Sequence, residues 1–213
     1  MKTKITKNPI SKISLLVFSF VIVCGLSLSA YAANDTDLSI TISGGILNVD
    51  IVDAGGTTVA NPSVTMDSVD STLNKQISNG TLGVTSEKIR LSNSTTTPTW
   101  TTTIAATNGA SAVWSSTGSA TMDYNSTVGG TGSLAVKPSG ATIVAVNNGN
   151  TTGVSKGTDT AFGAGTGSIT LYSANGTAAV SEQYDLTNVV LSQEVPLSQA
   201  AASYTINMTL TAI

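Results

Sequence analysis

The chain has 213 residues, with nine basic and twelve acidic side chains, one cysteine and no histidine. The lack of histidine removes the commonest acid/base group and the commonest metal ligand from its chemistry. With so few basic side chains, there is no basic patch of the kind that attracts nucleic acid.

The first 32 residues have the organisation of a secretory signal peptide. A basic head is followed by an apolar run over residues 13–26, and then by small residues at Ala30 and Ala32. We expect cleavage after Ala32. A retained membrane anchor is the alternative, but the apolar run is short for a span of about 20 residues. The remaining 181 residues carry five basic and twelve acidic side chains, a net charge of −7, and no cysteine.

The rest of the chain consists of short alternations of apolar and polar residues separated by turn residues, a pattern that is typical of β-strands. The predicted strands and apolar segments are residues 38–42, 46–53, 59–66, 81–91, 100–106, 134–136, 143–146, 168–171, 176–190 and 204–213. Residues 73–77 fit a single helical turn. We therefore predict an all-β fold, a single antiparallel β-sandwich of immunoglobulin-like or Greek-key type with long polar loops, formed by residues 33–213.

The last predicted strand has the most regular alternation in the sequence. Its five apolar residues fall on one face, and threonine and asparagine fall on the other; the apolar set is Tyr204, Ile206, Met208, Leu210 and Ala212. Chain ends usually fray unless a sheet or a partner holds them. We therefore expect this strand to be fixed, either in the sheet of its own domain or in that of a partner.

Trp100 begins the predicted strand 100–106 and shares one face of it with Thr102, Ile104 and Ala106. Burial of a large indole ring is strongly favourable. We interpret Trp100 as an anchor of the core; the alternative is an exposed Trp that stacks on a ligand.

Three stretches of the sequence together resemble a known family. They are, in chain order, residues 80–85 with residues 100–104, residues 170–176 with residues 189–196, and residues 202–211. In order and spacing they are similar to the WxL domain of Gram-positive bacterial surface proteins. Each Trp-x-Leu motif is half present, because Thr102 stands where the first motif has Leu and Met208 stands where the second has Trp.

The resemblance implies secretion, location at the bacterial cell surface or cell wall, and non-covalent binding to peptidoglycan or to other surface proteins. By motif position it implies binding roles for five residues, for which packing roles are the favoured alternative: Trp100, Thr102, Tyr204, Met208 and Leu210.

The sequence offers little catalytic chemistry. Asp67 with Asp70, and Glu182 with Asp185, are close enough in sequence to form carboxylate pairs, but solvated surface charges are the favoured interpretation. No Ser has a histidine partner for nucleophilic attack. We therefore expect no enzyme activity, no catalytic residue, no metal and no cofactor.

Two functions are consistent with these features. The first is a secreted, non-enzymatic surface protein that binds the wall or partner proteins. The alternative is a pilin-like or fibre-forming subunit in which the terminal strand or residues 38–42 complete the sheet of a neighbour, giving a homo- or hetero-assembly. Neither function involves nucleic acid, or a membrane span after cleavage of the signal peptide.

Overall fold

The structure is a computed structural model, and it describes Ile40, residues 44–147 and residues 149–213. Residues 44 onward belong to one compact unit, Ser43–Ile213. The predicted signal peptide and, apart from Ile40, the predicted strand 38–42 lie outside the described residues.

The described residues form short strands and two single-turn 3₁₀ helices, Gly109–Ser111 and Pro138–Gly140. The strands are β1 (Leu47–Val52), β2 (Gln76–Leu82), β3 (Lys88–Asn93), β4 (Thr99–Ala106), β5 (Trp114–Ser116), β6 (Thr121–Met122), β7 (Leu134–Lys137), β8 (Thr142–Ala145), β9 (Val154–Lys156), β10 (Thr160–Ala161), β11 (Ile169–Asn175), β12 (Glu182–Thr187), β13 (Val189–Val195), β14 (Tyr204–Thr205) and β15 (Met208–Ala212).

The strands form four antiparallel sheets. Sheet I has the order β1-β3-β12-β8, sheet II the order β10-β7-β13-β2, and sheet III the order β15-β4-β11-β9. Sheet IV is small and joins β14 to the hairpin of β5 and β6. The predicted all-β, sandwich-like fold is confirmed.

Three aromatic rings join sheets I and III. The ring of Trp100 on β4 lies 5.2 Å from that of Tyr172 on β11, edge to face, and 5.5 Å from that of Tyr184 on β12. Tyr172 also donates a hydrogen bond of 3.2 Å to the carbonyl of Tyr184. The three side chains are at most 1% exposed, so this contact is the centre of the core, and Trp100 is an anchor of the core as expected.

Sheet II contributes to the same apolar cluster. Val136 of β7 and Val189 of β13 are fully buried, and the nearby rings of Tyr124 and Phe162 lie 5.1 Å apart. Phe162 directly follows β10, in a polar and Gly-rich stretch of the sequence at residues 147–167. Through the buried Phe162 ring, this stretch packs into the core.

The alternation of the strand 100–106 is confirmed, because Trp100, Thr102, Ile104 and Ala106 are all at most 5% exposed. The prediction of a strand at residues 59–66 was wrong. This segment has no ladder of backbone hydrogen bonds: Val59 N–H donates to the carbonyl of Ile51, and the next such bond is from Asp67. The helical turn at residues 73–77 was also wrong, since β2 begins at Gln76.

The terminal segment alternates as predicted, but it is two strands in two different sheets. Tyr204 pairs with Ser116 of β5, whereas Met208 pairs with Ala106 of β4. The segment is therefore held by its own chain. Of the two strands, β15 lies at the edge of sheet III, and its apolar side chains are half-buried.

Candidate functional site: a cleft beside Trp114

A cleft of about 510 Å³ lies beside the hairpin of β5 and β6. Residues 64–71 form one wall and residues 199–204 form the opposite wall. The floor contains Trp114 of β5, Met122 of β6 and Gln193 of β13. Ligand sites of proteins commonly have volumes of about 300–1,000 Å³. We call this site the Trp114 cleft.

The first wall covers the edge of sheet II without joining it as a strand. The N–H of Asp67 donates to the carbonyl of Asn79 at 2.6 Å, and Ser78 Oγ donates to the carbonyl of Asp67 at 2.6 Å. A Cβ on Gly80 of β2 would lie 2.5 Å from Met66 Sδ. The glycine therefore allows this wall to lie directly against the strand.

The second wall is the bend between β13 and β14, and side-chain hydrogen bonds fix its shape. The hydroxyl of Tyr204 donates to the carbonyl of Ala200 at 2.7 Å. Gln199 Nε2 donates to the Tyr204 hydroxyl at 2.7 Å and to the carbonyl of Thr121 at 3.0 Å. Ser71 Oγ donates to the carbonyl of Gln199 at 2.7 Å, which ties the two walls together.

A buried glutamine orients the indole of the floor. Trp114 Nε1 donates to Gln193 Oε1 at 2.8 Å. Gln193 is 1% exposed, and its Nε2 donates to the carbonyls of Asp123 at 3.1 Å and Glu194 at 2.7 Å. The polar Nε1 of the half-buried Trp114 is therefore already paired within the protein, and the rest of the indole ring is apolar.

The charged side chains of the cleft are all acidic. Asp67 and Asp70 on the first wall are exposed, and no Lys or Arg lines the site. The nearby Lys75 is paired with Glu194 at 3.1 Å, outside the lining. The expectation of solvated surface charges agrees with the exposure of Asp67 and Asp70. It was wrong for Glu182 and Asp185, which are buried, at 4% and 5% exposed.

Of the five residues that the family resemblance implied for binding, Tyr204 alone lines the cleft. Trp100 is 1% exposed and Thr102 is fully buried, so neither side chain reaches the surface of the domain. Their Nε1 and Oγ1 atoms have no hydrogen-bond partner among the described residues. Met208 and Leu210 on β15 are half-buried against the core and lie outside the lining of the cleft.

The sequence patterns did not single out Trp114, which lines the cleft. It lies in a Gly-, Ser- and Asn-rich stretch with no alternation around it. The available signal was a large aromatic side chain in a stretch of mostly small and polar residues. In the described part of the chain, no group of three or more His, Cys, Asp or Glu side chains is placed to hold a metal ion.

No helix within the described ranges is long and apolar enough to cross a membrane. Comparisons with protein-family models, with curated proteins and with solved structures found no match to this chain. The resemblance to the WxL domain therefore stays a prediction from the sequence.

Proposed function

We propose that this protein is a secreted, non-enzymatic protein of the bacterial cell surface that binds wall glycan, with peptidoglycan as the ligand, in the Trp114 cleft. The observation that carries the proposal is the combination of an apolar indole floor with carboxylates on one wall. A sugar ring has an apolar face of C–H groups that packs on an aromatic ring, and hydroxyl groups around its edge that donate hydrogen bonds.

The shape and rigidity of the cleft support this proposal. Its walls are fixed by the hydrogen bonds of Ser71, Gln199 and Tyr204, and its floor is fixed by Gln193. A preformed site loses less conformational entropy on binding than a flexible one. Trp and Tyr are also the residues that most often dominate binding energy when they lie in a pocket.

The test is co-sedimentation of residues 33–213 with purified, insoluble peptidoglycan. We expect the protein to sediment with the wall, and Trp114→Ala to weaken binding by roughly thirtyfold or more, since such anchors contribute about 2 kcal/mol or more. Val144→Ala is the control, because Val144 is a 53% exposed apolar residue on β8, away from the cleft.

Two results would count against glycan binding in this cleft. One is sedimentation no greater than that of an unrelated β-sandwich protein of similar charge. The other is equal binding by Trp114→Ala and Val144→Ala when circular dichroism shows that both variants are folded.

The second candidate function is a fibre-forming subunit that assembles by strand addition. Since β15 pairs with β4 of the same chain, this hypothesis now depends on residues 38–42 as the donor. The observation in its favour is Ile40, which is 86% exposed at the middle of that alternating segment.

The test of the fibre hypothesis compares residues 33–213 with residues 43–213 by light scattering over a range of concentrations. A fibre subunit should form oligomers only when residues 33–42 are present. Monomers at every concentration for both proteins would reject the hypothesis.

A further inference from the structure

The donor groups that line the Trp114 cleft are mostly used within the protein. Trp114 Nε1, Ser78 Oγ and Ser71 Oγ each donate to a protein oxygen, at 2.8, 2.6 and 2.7 Å. The Tyr204 hydroxyl and Gln199 Nε2 do the same, each at 2.7 Å. Of the side-chain donors in the lining, the exposed hydroxyl groups of Thr65, Ser68 and Ser203 make no hydrogen bond within the described residues. These three are the side-chain donors to which a ligand's own acceptors can bind.

The carboxylate acceptors of the cleft, by contrast, are not used within the described part of the chain. Among the residues that the structure describes, no side chain donates a hydrogen bond or forms an ion pair to the carboxylate of Asp67 or Asp70. Two carboxylates accept about eight hydrogen bonds between them. The site is thus complementary to a ligand that is rich in donors.

The charge of the cleft selects further among donor-rich ligands. With two carboxylates and no Lys or Arg in the lining, the site repels phosphate and carboxylate groups and attracts a cation. The face of an indole ring attracts a cation as well, through its quadrupole. Aromatic floor and acidic wall therefore favour the same positive group.

We infer that the Trp114 cleft selects a saccharide with free amino groups, such as deacetylated amino sugars of a wall glycan, over the N-acetylated form. The inference rests on the proposed glycan binding and deepens it. The sugar ring would lie against Trp114, and its ammonium group would donate hydrogen bonds to Asp67 or Asp70.

The experiment is calorimetric titration of residues 33–213 with two oligosaccharides of equal length that differ only in acetylation, a glucosamine tetramer and an N-acetylglucosamine tetramer. It is done at mildly acidic pH, where the sugar amine is protonated. We expect the amino form to bind up to about fivefold tighter, since an exposed ion pair contributes up to about 1 kcal/mol. The preference should decrease as salt is added.

Two double variants with the same net charge give the control. Asp67→Asn with Asp70→Asn should abolish the preference, because it should weaken binding of the amino form more than binding of the acetylated form. Asp50→Asn with Asp159→Asn, on β1 and in an exposed turn away from the cleft, should keep it. A lysine tetrapeptide tests whether charge alone suffices, and we expect it to bind more weakly than the amino sugar.

The outcomes separate this inference from the proposed function. Equal binding of the two tetramers, lost in Trp114→Ala, would overturn the selection of amino sugars and leave glycan binding intact. Tighter binding of the lysine peptide than of the amino sugar would overturn the saccharide as the ligand class. If neither tetramer binds, the inference is wrong, and if peptidoglycan also fails to bind, the proposed function is wrong with it.

Discussion

Gln193 connects the core to the Trp114 cleft, and its replacement by leucine is the sharpest test of how the site is built. The side chain is 1% exposed and makes three hydrogen bonds. Gln193→Leu keeps a similar size and removes all three. We expect the variant to fold, to be less stable and to hold Trp114 less rigidly.

The structure gives the size of the effect. The substitution leaves Trp114 Nε1 and the carbonyls of Asp123 and Glu194 without their partner. An unsatisfied buried group costs about 1–3 kcal/mol. Because Trp114 is half-buried and Asp123 is exposed, water can hydrogen-bond to some of these three groups. Burial of the leucine side chain also offsets part of the lost stability. We therefore expect the free energy of unfolding to fall by about 2 kcal/mol.

The assay is urea unfolding, combined with fluorescence of the two Trp residues and peptidoglycan binding. Gln183→Leu is the matched control, because Gln183 is half-buried and its side chain donates one bond of 3.1 Å to Ser92 Oγ. We expect the control to change the free energy of unfolding by less than about 1 kcal/mol. Only Gln193→Leu should change the emission of Trp114 and weaken binding by roughly threefold to tenfold.

Equal unfolding free energies for the two variants would refute the argument that Gln193 is a critical buried partner. Loss of stability with unchanged binding and unchanged Trp114 emission would show that Gln193 supports the core and does not orient the indole.

Three further predictions concern the fold. Asp185 is 5% exposed and accepts hydrogen bonds from Arg90 at 2.6 Å and 2.9 Å, and Lys88 lies 2.9 Å from its carboxylate. Burial raises the pKa of Asp185, but hydrogen bonds from Arg90 and Lys88 outweigh burial, so that its pKa is lowered overall. The contribution of Asp185 to the free energy of unfolding should therefore be complete above the pKa of the unfolded state, about 3.9, and be lost as pH falls through the lowered pKa of the folded state. Acid unfolding of Asp185→Asn should thus show a weaker pH dependence than that of the native protein. Trp100→Ala should cost about 3–5 kcal/mol in urea unfolding, since it removes a fully packed ring, and a loss below about 1 kcal/mol would contradict its central position. Deletion of residues 208–213 removes β15 from sheet III and should expose the half-buried side of the core, so that the thermal transition is lost or strongly lowered; an unchanged transition would mean that the strand is dispensable for the fold.

Part of the fold followed from local patterns. The strands β4 and β15 could be predicted because each alternates apolar and polar residues while one face meets the core. β2 could not, since its inward positions include Ser78 and Gly80, and Ile77 is 48% exposed. β2 is a strand because of its backbone ladder with β13 and because Met66 packs over Gly80. Neither contact is visible in the local sequence.

The sequence by itself determined the all-β class, the negative charge of the chain and the position of Trp100 in the core, because period-two alternation, composition and the size of an indole ring are local properties. Only the tertiary structure decided where the Trp114 cleft lies. The Trp114 cleft combines residues 64–71, the β5–β6 hairpin and residues 199–204, which are far apart in the chain. No local pattern specifies that these three segments meet, since their approach depends on the pairing of β14 with β5 and on the order of strands in sheet II.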